Sequence, residues 1–314
     1  MYQAFSIAET FGIQAPAKLT VEGFSDGNHP KIPVKRDYVF RKEYLRDVLA
    51  FLSHPHGDGL YVTGPTGSGK TSLITQVAAR LNWPVHAVTC HGRLELGDLI
   101  GQFTLINGSM QFVHGPLSQS VRDGHVLILN EIDLMDPSEL AGLNDIVEGQ
   151  PLVIPQNGGE VIRPHAKFRL IATGNSAGAG DRTGVYQGVL RQNLALLDRF
   201  RLIEIGYPEP ELEDAVLAKS VPAMPTVIRE KMIRVANEIR KLFVGGDAGA
   251  GMLSVTMSTR GLVRWASLTV AFKGAPNALE YALDRALALR AEPEERLAIH
   301  RIAADVFGDD WRSA

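Results

Sequence analysis

An α/β nucleotide-binding core followed by a smaller all-helical domain is the fold this chain predicts. Over residues 46–207, short apolar strand-like runs alternate with helical segments, the mark of a parallel sheet covered on both faces. A glycine-rich loop joins the first of those runs to its helix. Beyond Tyr207-Pro208-Glu209-Pro210 the periodicity becomes wholly helical. The expected division is an N-terminal arm over 1–45, the core over 46–207 and a helical lid domain over 208–314.

The arm is interrupted by Pro16, Gly23, Gly27, Pro30 and Pro33, and Asp37-Tyr38-Val39-Phe40 precedes a first helix from Lys42 to Leu52. Besides Leu60-Tyr61-Val62-Thr63, strands are expected at Val85–Thr89, Val126–Leu129, Phe168–Thr173 and Leu202–Ile205. A helix should open after the third of these, with Asp136 as N-cap, Pro137 at its first position and Glu139 closing a capping box, and end at Gly149. Two hairpins look inserted into this scheme: Phe103 to Val113 around Asn107-Gly108, and Leu152-Val153-Ile154 with Val161-Ile162 around Asn157-Gly158-Gly159. In the last third, Ile228, Met232, Val235, Ile239 and Leu242 share one helical face. Ser258 can cap a helix reaching Phe272, and Asn277–Arg290 and Glu294–Phe307 supply two more.

The loop itself reads Gly64-Pro65-Thr66-Gly67-Ser68-Gly69-Lys70-Thr71 and fills every position of the phosphate-cradling P-loop pattern. Glycines let the backbone wrap close to phosphate oxygens, with the positive helix end facing the anion. Lys70 brings a point charge to the terminal phosphates, Thr71 a hydroxyl for Mg²⁺, and Ser72 continues the helix's first turn. ATP with Mg²⁺ is the expected ligand.

Composition narrows the function. The 314 residues, 45% of them hydrophobic, suffice for a large core, and a formal charge of −3 gives no global case for nucleic acid or an anionic membrane. The single cysteine, Cys90, rules out an internal disulfide and follows a strand-like run, so it reads as a buried structural thiol. No stretch approaches the roughly 20 apolar residues of a spanning helix, and the first eleven residues lack a leader pattern; a soluble, cytoplasmic protein is expected. The histidines lack ligand spacing, His86, His91 and His125 among them, and read as packing or surface residues.

Further polar residues stand at strand ends. Val126–Leu129 delivers Asn130-Glu131 to the sheet edge where ligands bind. Glu131 has the acid–base capacity to polarise an attacking water, whereas Asn130 can accept from a metal-bound water but carries no charge. Asn175, after Phe168–Thr173, could hold the same water or serve only the turn. Arg199 in Leu196-Leu197-Asp198-Arg199-Phe200 fits either a residue reaching a neighbouring subunit's γ-phosphate or a surface ion pair with Asp198. Arg260, opening a C-terminal helix, fits a reporter of nucleotide state or an ordinary surface arginine.

Taken in order, these motifs resemble the AAA+ ATPases, and within them the MoxR-type branch that includes the CobS-type subunit of aerobic cobaltochelatase and the CbbQ and NorQ activators. The likeness to the CobS type runs through Glu9-Thr10-Phe11-Gly12-Ile13, Asp37-Tyr38-Val39-Phe40, Gln76 to Pro84, Asp98-Leu99-Ile100-Gly101, Val161-Ile162-Arg163-Pro164-His165, Gly180 to Gly188 and Met257-Ser258-Thr259-Arg260. The resemblance implies that Gly64–Thr71 is Walker A, Asn130-Glu131 the Walker B end, Asn175 sensor 1, Arg199 the arginine finger and Arg260 sensor 2. It further implies a homo-hexameric ring with sites between subunits, the two hairpins facing the channel or partner side, and a partner carrying a von Willebrand A domain. For cobalt insertion a large chelatase subunit would join them. The chain departs from the family pattern at three places: Asn130 replaces the Walker B aspartate, Thr259 stands where proline is common, and Arg182 replaces a small or neutral residue. Arg191 and Arg182 are further candidates for the arginine acting in trans. A ring scaffold that binds nucleotide with little hydrolysis, because of Asn130, is the alternative; a P-loop kinase or DNA-remodelling ATPase is a third class, disfavoured by the charge balance and the long helical tail.

Overall fold

The computed structural model describes residues 1–180, 188–244 and 253–313. Its centre is a five-stranded parallel sheet: β1 (Gly59–Thr63), β2 (Val85–Thr89), β3 (Val126–Asn130), β4 (Arg169–Gly174) and β5 (Phe200–Glu204). The spatial order is β5-β1-β4-β3-β2. β1, β3 and β4 lie inside the sheet, which is why they read as unbroken apolar runs, with Leu60, Tyr61, Val62, Leu127, Ile128, Leu129, Ile171 and Ala172 all buried. The register aligns Thr63 with Gly174 and Asn130 with Thr89, so the carboxyl ends of the strands form one edge.

Helix α1 (Lys70–Arg80) follows β1 and buries Leu73, Ile74, Val77 and Ala78. The hairpin Gly101–Ile106/Ser109–His114 turns on Asn107 and Gly108, both at positive φ as a two-residue primed turn requires. Leu152–Ile154 pairs with Glu160–Ile162 as the second hairpin.

Three local expectations are corrected. The arm carries regular structure: Tyr2–Ser6 pairs antiparallel with Thr20–Phe24, enclosing a short helix Ile7–Phe11 capped by Ser6. The prolines that suggested an irregular arm fall outside these pairs. The single helix expected from Pro137 to Gly149 is broken into Pro137–Leu140, a 3₁₀ turn Ala141–Leu143 and Asn144–Val147. Asp136 does cap it, accepting from Ser138 N at 2.8 Å, but Glu139 makes no capping box. Its carboxylate instead accepts from the amide of Leu96, an orphan donor at the start of helix Leu96–Ile100, at 2.8 Å.

The chain divides into two compact units. The first comprises Met1–Arg36, Phe40–Pro65 and Lys70–Ile205; the second comprises Asp37–Val39, Thr66–Gly69 and Gly206–Ala314. The second is helical, with Pro210–Ser220, Thr226–Val244, Thr259–Ala271, Ala278–Ala286 and Pro293–Phe307 packed around Met232, Ile239, Trp265, Leu283 and Ile299. A fully buried ion pair lies within it: Arg240 grips both oxygens of Glu213 at 2.7 and 2.8 Å and donates to Met257 O at 2.7 Å. The Thr259 hydroxyl donates to Glu213 at 2.9 Å, a bond that the proline common at this position could not make. That contact gives the departure a structural reason.

Among the described residues no helix is long and apolar enough to cross a membrane.

Candidate functional site

β1 hands the chain to α1 through Gly64 and Pro65. Gly64 has φ 141°, and a Cβ there would lie 2.1 Å from Ile205 O, so no other residue fits this exit from the strand. Thr66–Gly69 belong to the second unit, where the Tyr207 hydroxyl donates to Thr66 O at 3.1 Å and a Cβ on Gly67 would lie 2.2 Å from the Ser258 Cβ. Ser258 caps the helix carrying Arg260, accepting from Gly261 N at 3.0 Å, and Arg260 is exposed on that helix's first turn.

Lys70 and Thr71, the first residues of α1, meet the ends of the neighbouring strands. The Lys70 ammonium donates to Gly64 O at 2.7 Å, to Pro65 O at 3.1 Å and to Asn175 Oδ1 at 3.0 Å. Burial pushes its pKa down to about 8, against the pull of Asp133 and then Glu131. The Thr71 hydroxyl donates to Asn130 Oδ1 at 2.7 Å, and Thr173 adds a second, longer bond to the same oxygen at 3.3 Å. Lys70, Asn175 and Asn130 thus converge on one edge of the sheet. Ser72 is exposed one residue further along the helix.

Glu131 is exposed and sits at φ 55°, ψ 46°, a left-handed conformation that is strained for a residue with a Cβ. Its amide donates to the Thr173 hydroxyl at 3.3 Å, which ties the turn to β4. The oxygens brought together for a magnesium ion are the Thr71 hydroxyl and the Asn130 amide, 2.7 Å apart. This all-oxygen pair suits a hard cation, and neither member is charged.

Arg199 stands apart from this cluster in its bonding. It pairs with Glu148 at 2.7 Å and donates to Ala195 O at 2.6 Å. The ion-pair partner suggested by sequence, Asp198, is replaced by a residue brought in by the broken Pro137–Val147 segment. Arg191 is exposed and forms an isolated bridge with Ala179, and Arg182 lies outside the described residues. Cys90 is buried as expected, its thiol pushed up to about 12 by burial and by the charges of Asp133 and Glu131.

Two residues escaped the sequence reading. Asp133 is completely buried beneath the edge, and Tyr61 donates to Ser176 O at 2.9 Å. Asp133 had a signal, an acid two positions after Glu131 within an otherwise apolar turn; Tyr61 looked like any strand aromatic.

A family profile described as AAA domain (dynein-related subfamily) matches residues 59–200, and one described as CbbQ/NirQ/NorQ C-terminal matches 213–306. The chain is similar to the aerobic cobaltochelatase subunit CobS of Sinorhizobium sp, 33% identical over 83% of this chain and 79% of that one. The chain belongs to the AAA+ ATPases. Within that family it is also similar to protein NorQ of Paracoccus denitrificans, 31% identical over 78% of this chain and 85% of the relative. Together these place it in the CobS/NorQ/CbbQ group. Among solved AAA+ neighbours, a RuvB mutant from Thermotoga maritima is 17% identical with a TM-score of 0.49, covering 77% of this chain and 68% of that one.

Proposed function

We propose that this AAA+ protein binds ATP·Mg²⁺ on Gly64–Thr71, with Ser72 in the first helical turn, and hydrolyses it between subunits of a homo-hexameric ring to remodel or activate a partner complex. The observation that carries the reading is the meeting of Lys70 with Asn175 at 3.0 Å and of Thr71 with Asn130 at 2.7 Å. The lysine and hydroxyl of the P-loop are thereby already set against the two strand ends that would face the terminal phosphate. Glu131 takes the role of polarising water, Asn175 of fixing it, and Arg199 of stabilising charge on the phosphate of an adjacent subunit. Arg260 follows as the residue that relays nucleotide state. Thr71, with Asn130 through water, would hold the magnesium, which when bound offsets the phosphate charge.

The likeness to CobS and NorQ supports a partner protein as client, with a von Willebrand A protein the proposed class. Cobalt insertion with a large chelatase subunit is the narrower form of the proposal. Phosphate release by the wild type, Asn130→Asp and Glu131→Gln tests the reaction. Loss of a general base costs about 10²–10⁴ in rate, so Glu131→Gln should fall by that factor. Asn130→Asp should need less magnesium for half-maximal rate. A wild type no faster than Glu131→Gln leaves the nucleotide-binding scaffold as the function.

A further inference from the structure

Directly after Glu131 the chain makes a single 3₁₀ turn, Ile132–Leu134, and its middle residue is an acid with 0% exposure. Asp133 Oδ2 accepts from the amides of Asn175 at 2.9 Å and Ser176 at 3.2 Å, and from the Ser176 hydroxyl at 3.4 Å. Its Oδ1 has no hydrogen-bond partner among the described residues. Taking a carboxylate out of water costs several kcal/mol unless donors replace the lost hydration. Here they come from a single place, the turn that follows β4. The same turn is held at a second point, where Tyr61 donates to Ser176 O. β4 ends in Gly174, and a Cβ there would lie 2.1 Å from the Tyr61 hydroxyl and 3.1 Å from Asp133 Oδ2. The strand tip is therefore clamped between an acceptor and a donor, with a glycine where both approach. What the clamp holds is Asn175, whose side-chain oxygen takes the Lys70 ammonium at 3.0 Å.

We propose that Asp133 is a positioning residue for nucleotide hydrolysis: its buried carboxylate fixes the Asn175–Ser176 turn so that the Asn175 amide is presented beside Lys70. The inference rests on the ATPase reading above and concerns a residue that touches neither phosphate nor metal. An amide at position 133 can still offer one oxygen to the two backbone donors, but it removes the charge that strengthens those bonds and puts an NH₂ group where the buried Oδ1 lies. Asn175 then loses its fixed angle, and displacements on the order of 1 Å at such sites cost up to about 100-fold in rate.

The test combines Asp133→Asn, Asn175→Ala and their double variant in the full chain. Three quantities are measured: turnover at saturating ATP, equilibrium affinity for ATPγS, and amide hydrogen exchange at residues 175 and 176 without nucleotide. Expected are a turnover loss of about tenfold or more in Asp133→Asn, an ATPγS affinity within about threefold of wild type, and faster exchange at both amides. In the Asn175→Ala background, Asp133→Asn should cost less than about twofold further, because the two act through one contact. Full additivity, unchanged exchange, or an affinity loss equal to the turnover loss overturns the proposal. Should Asp133→Asn fail to fold, Tyr61→Phe loosens the clamp at its second anchor and should lower turnover while leaving ATPγS affinity in place; unchanged turnover there also overturns it. Failure of the underlying ATPase reading has a different signature, a wild type as slow as Glu131→Gln with both exchange rates still responding to Asp133→Asn.

Discussion

In the proposed mechanism Glu131 concentrates the conflict between folding and function in one residue. A side chain at φ 55° costs roughly 1–2 kcal/mol that glycine would not incur. Nothing in its own packing repays this, since the residue is exposed. At this turn the chain leaves β3 with the Glu131 side chain at the sheet edge and then dives at once, burying Ile132 and Asp133. Glu131→Gly should therefore leave stability unchanged or raise it by up to about 1 kcal/mol, the relief of strain being partly offset by the entropy of the unfolded glycine, while ATP turnover collapses. Urea unfolding alongside phosphate release checks both halves. A destabilisation above about 2 kcal/mol would mean that the carboxylate props up the fold instead of serving the reaction.

The elements at the opposite edge of the sheet carry a second set of charges, and these respond to acid. His86 on β2 and His125, just before β3, are buried with His86 Nε2 3.2 Å from His125 Nδ1. Around them stand Lys31, 3.4 Å from His86 Nδ1, the ring of His29 at 5.0 Å from that of His125, and Asp123 with its partner Arg122. Burial is the first cause that brings both imidazoles down to about 4; Lys31 adds to it for His86 and His29 for His125, and Asp123 opposes it in both. With folded values below the unfolded 6.5, the unfolded chain binds more protons between pH 6.5 and 4, so stability is lost as pH falls through that window. By pH 5 the two shifts together amount to about 4 kcal/mol, which solvent screening at these rings reduces to about 2, seen as a falling urea midpoint, and His125→Gln should flatten the dependence. A midpoint flat from pH 7 to 5 would show the rings to be solvated. Sequence reading placed these histidines as ordinary packing residues because 39 positions separate the two that bond; only the parallel register of β2 and β3 brings them together. The strands, the hairpin at Asn107-Gly108 and the Asp136 cap were legible because each depends on neighbours in sequence. The fracture of the helix after Pro137 was not, since Glu139 spends its carboxylate on Leu96, a partner fixed only by tertiary packing.

For the molecule as a whole, the same contrast divides the site. Its proposed phosphate-binding part rests on eight consecutive residues, and the proposed roles of Asn130, Glu131 and Asn175 on their order at strand ends. Asp133 was hidden because its partners lie about 40 residues away, and the proposed use of Arg199 depends on a neighbour that no single chain contains. In this chain Arg199 is held by Glu148 and Ala195 O. An arginine that serves an adjacent subunit leaves each active interface needing Glu131 from one copy and Arg199 from the next. Arg199→Ala and Glu131→Gln should each be inactive alone while retaining ATPγS affinity. Mixed in equal amounts and allowed to exchange subunits, they should regain activity, because roughly a quarter of randomly formed interfaces in a closed ring would pair an intact Glu131 with an intact Arg199. The regained rate should vanish on dilution below the assembly concentration, whereas an arginine acting within its own subunit would give a mixture as inactive as its parts at every concentration.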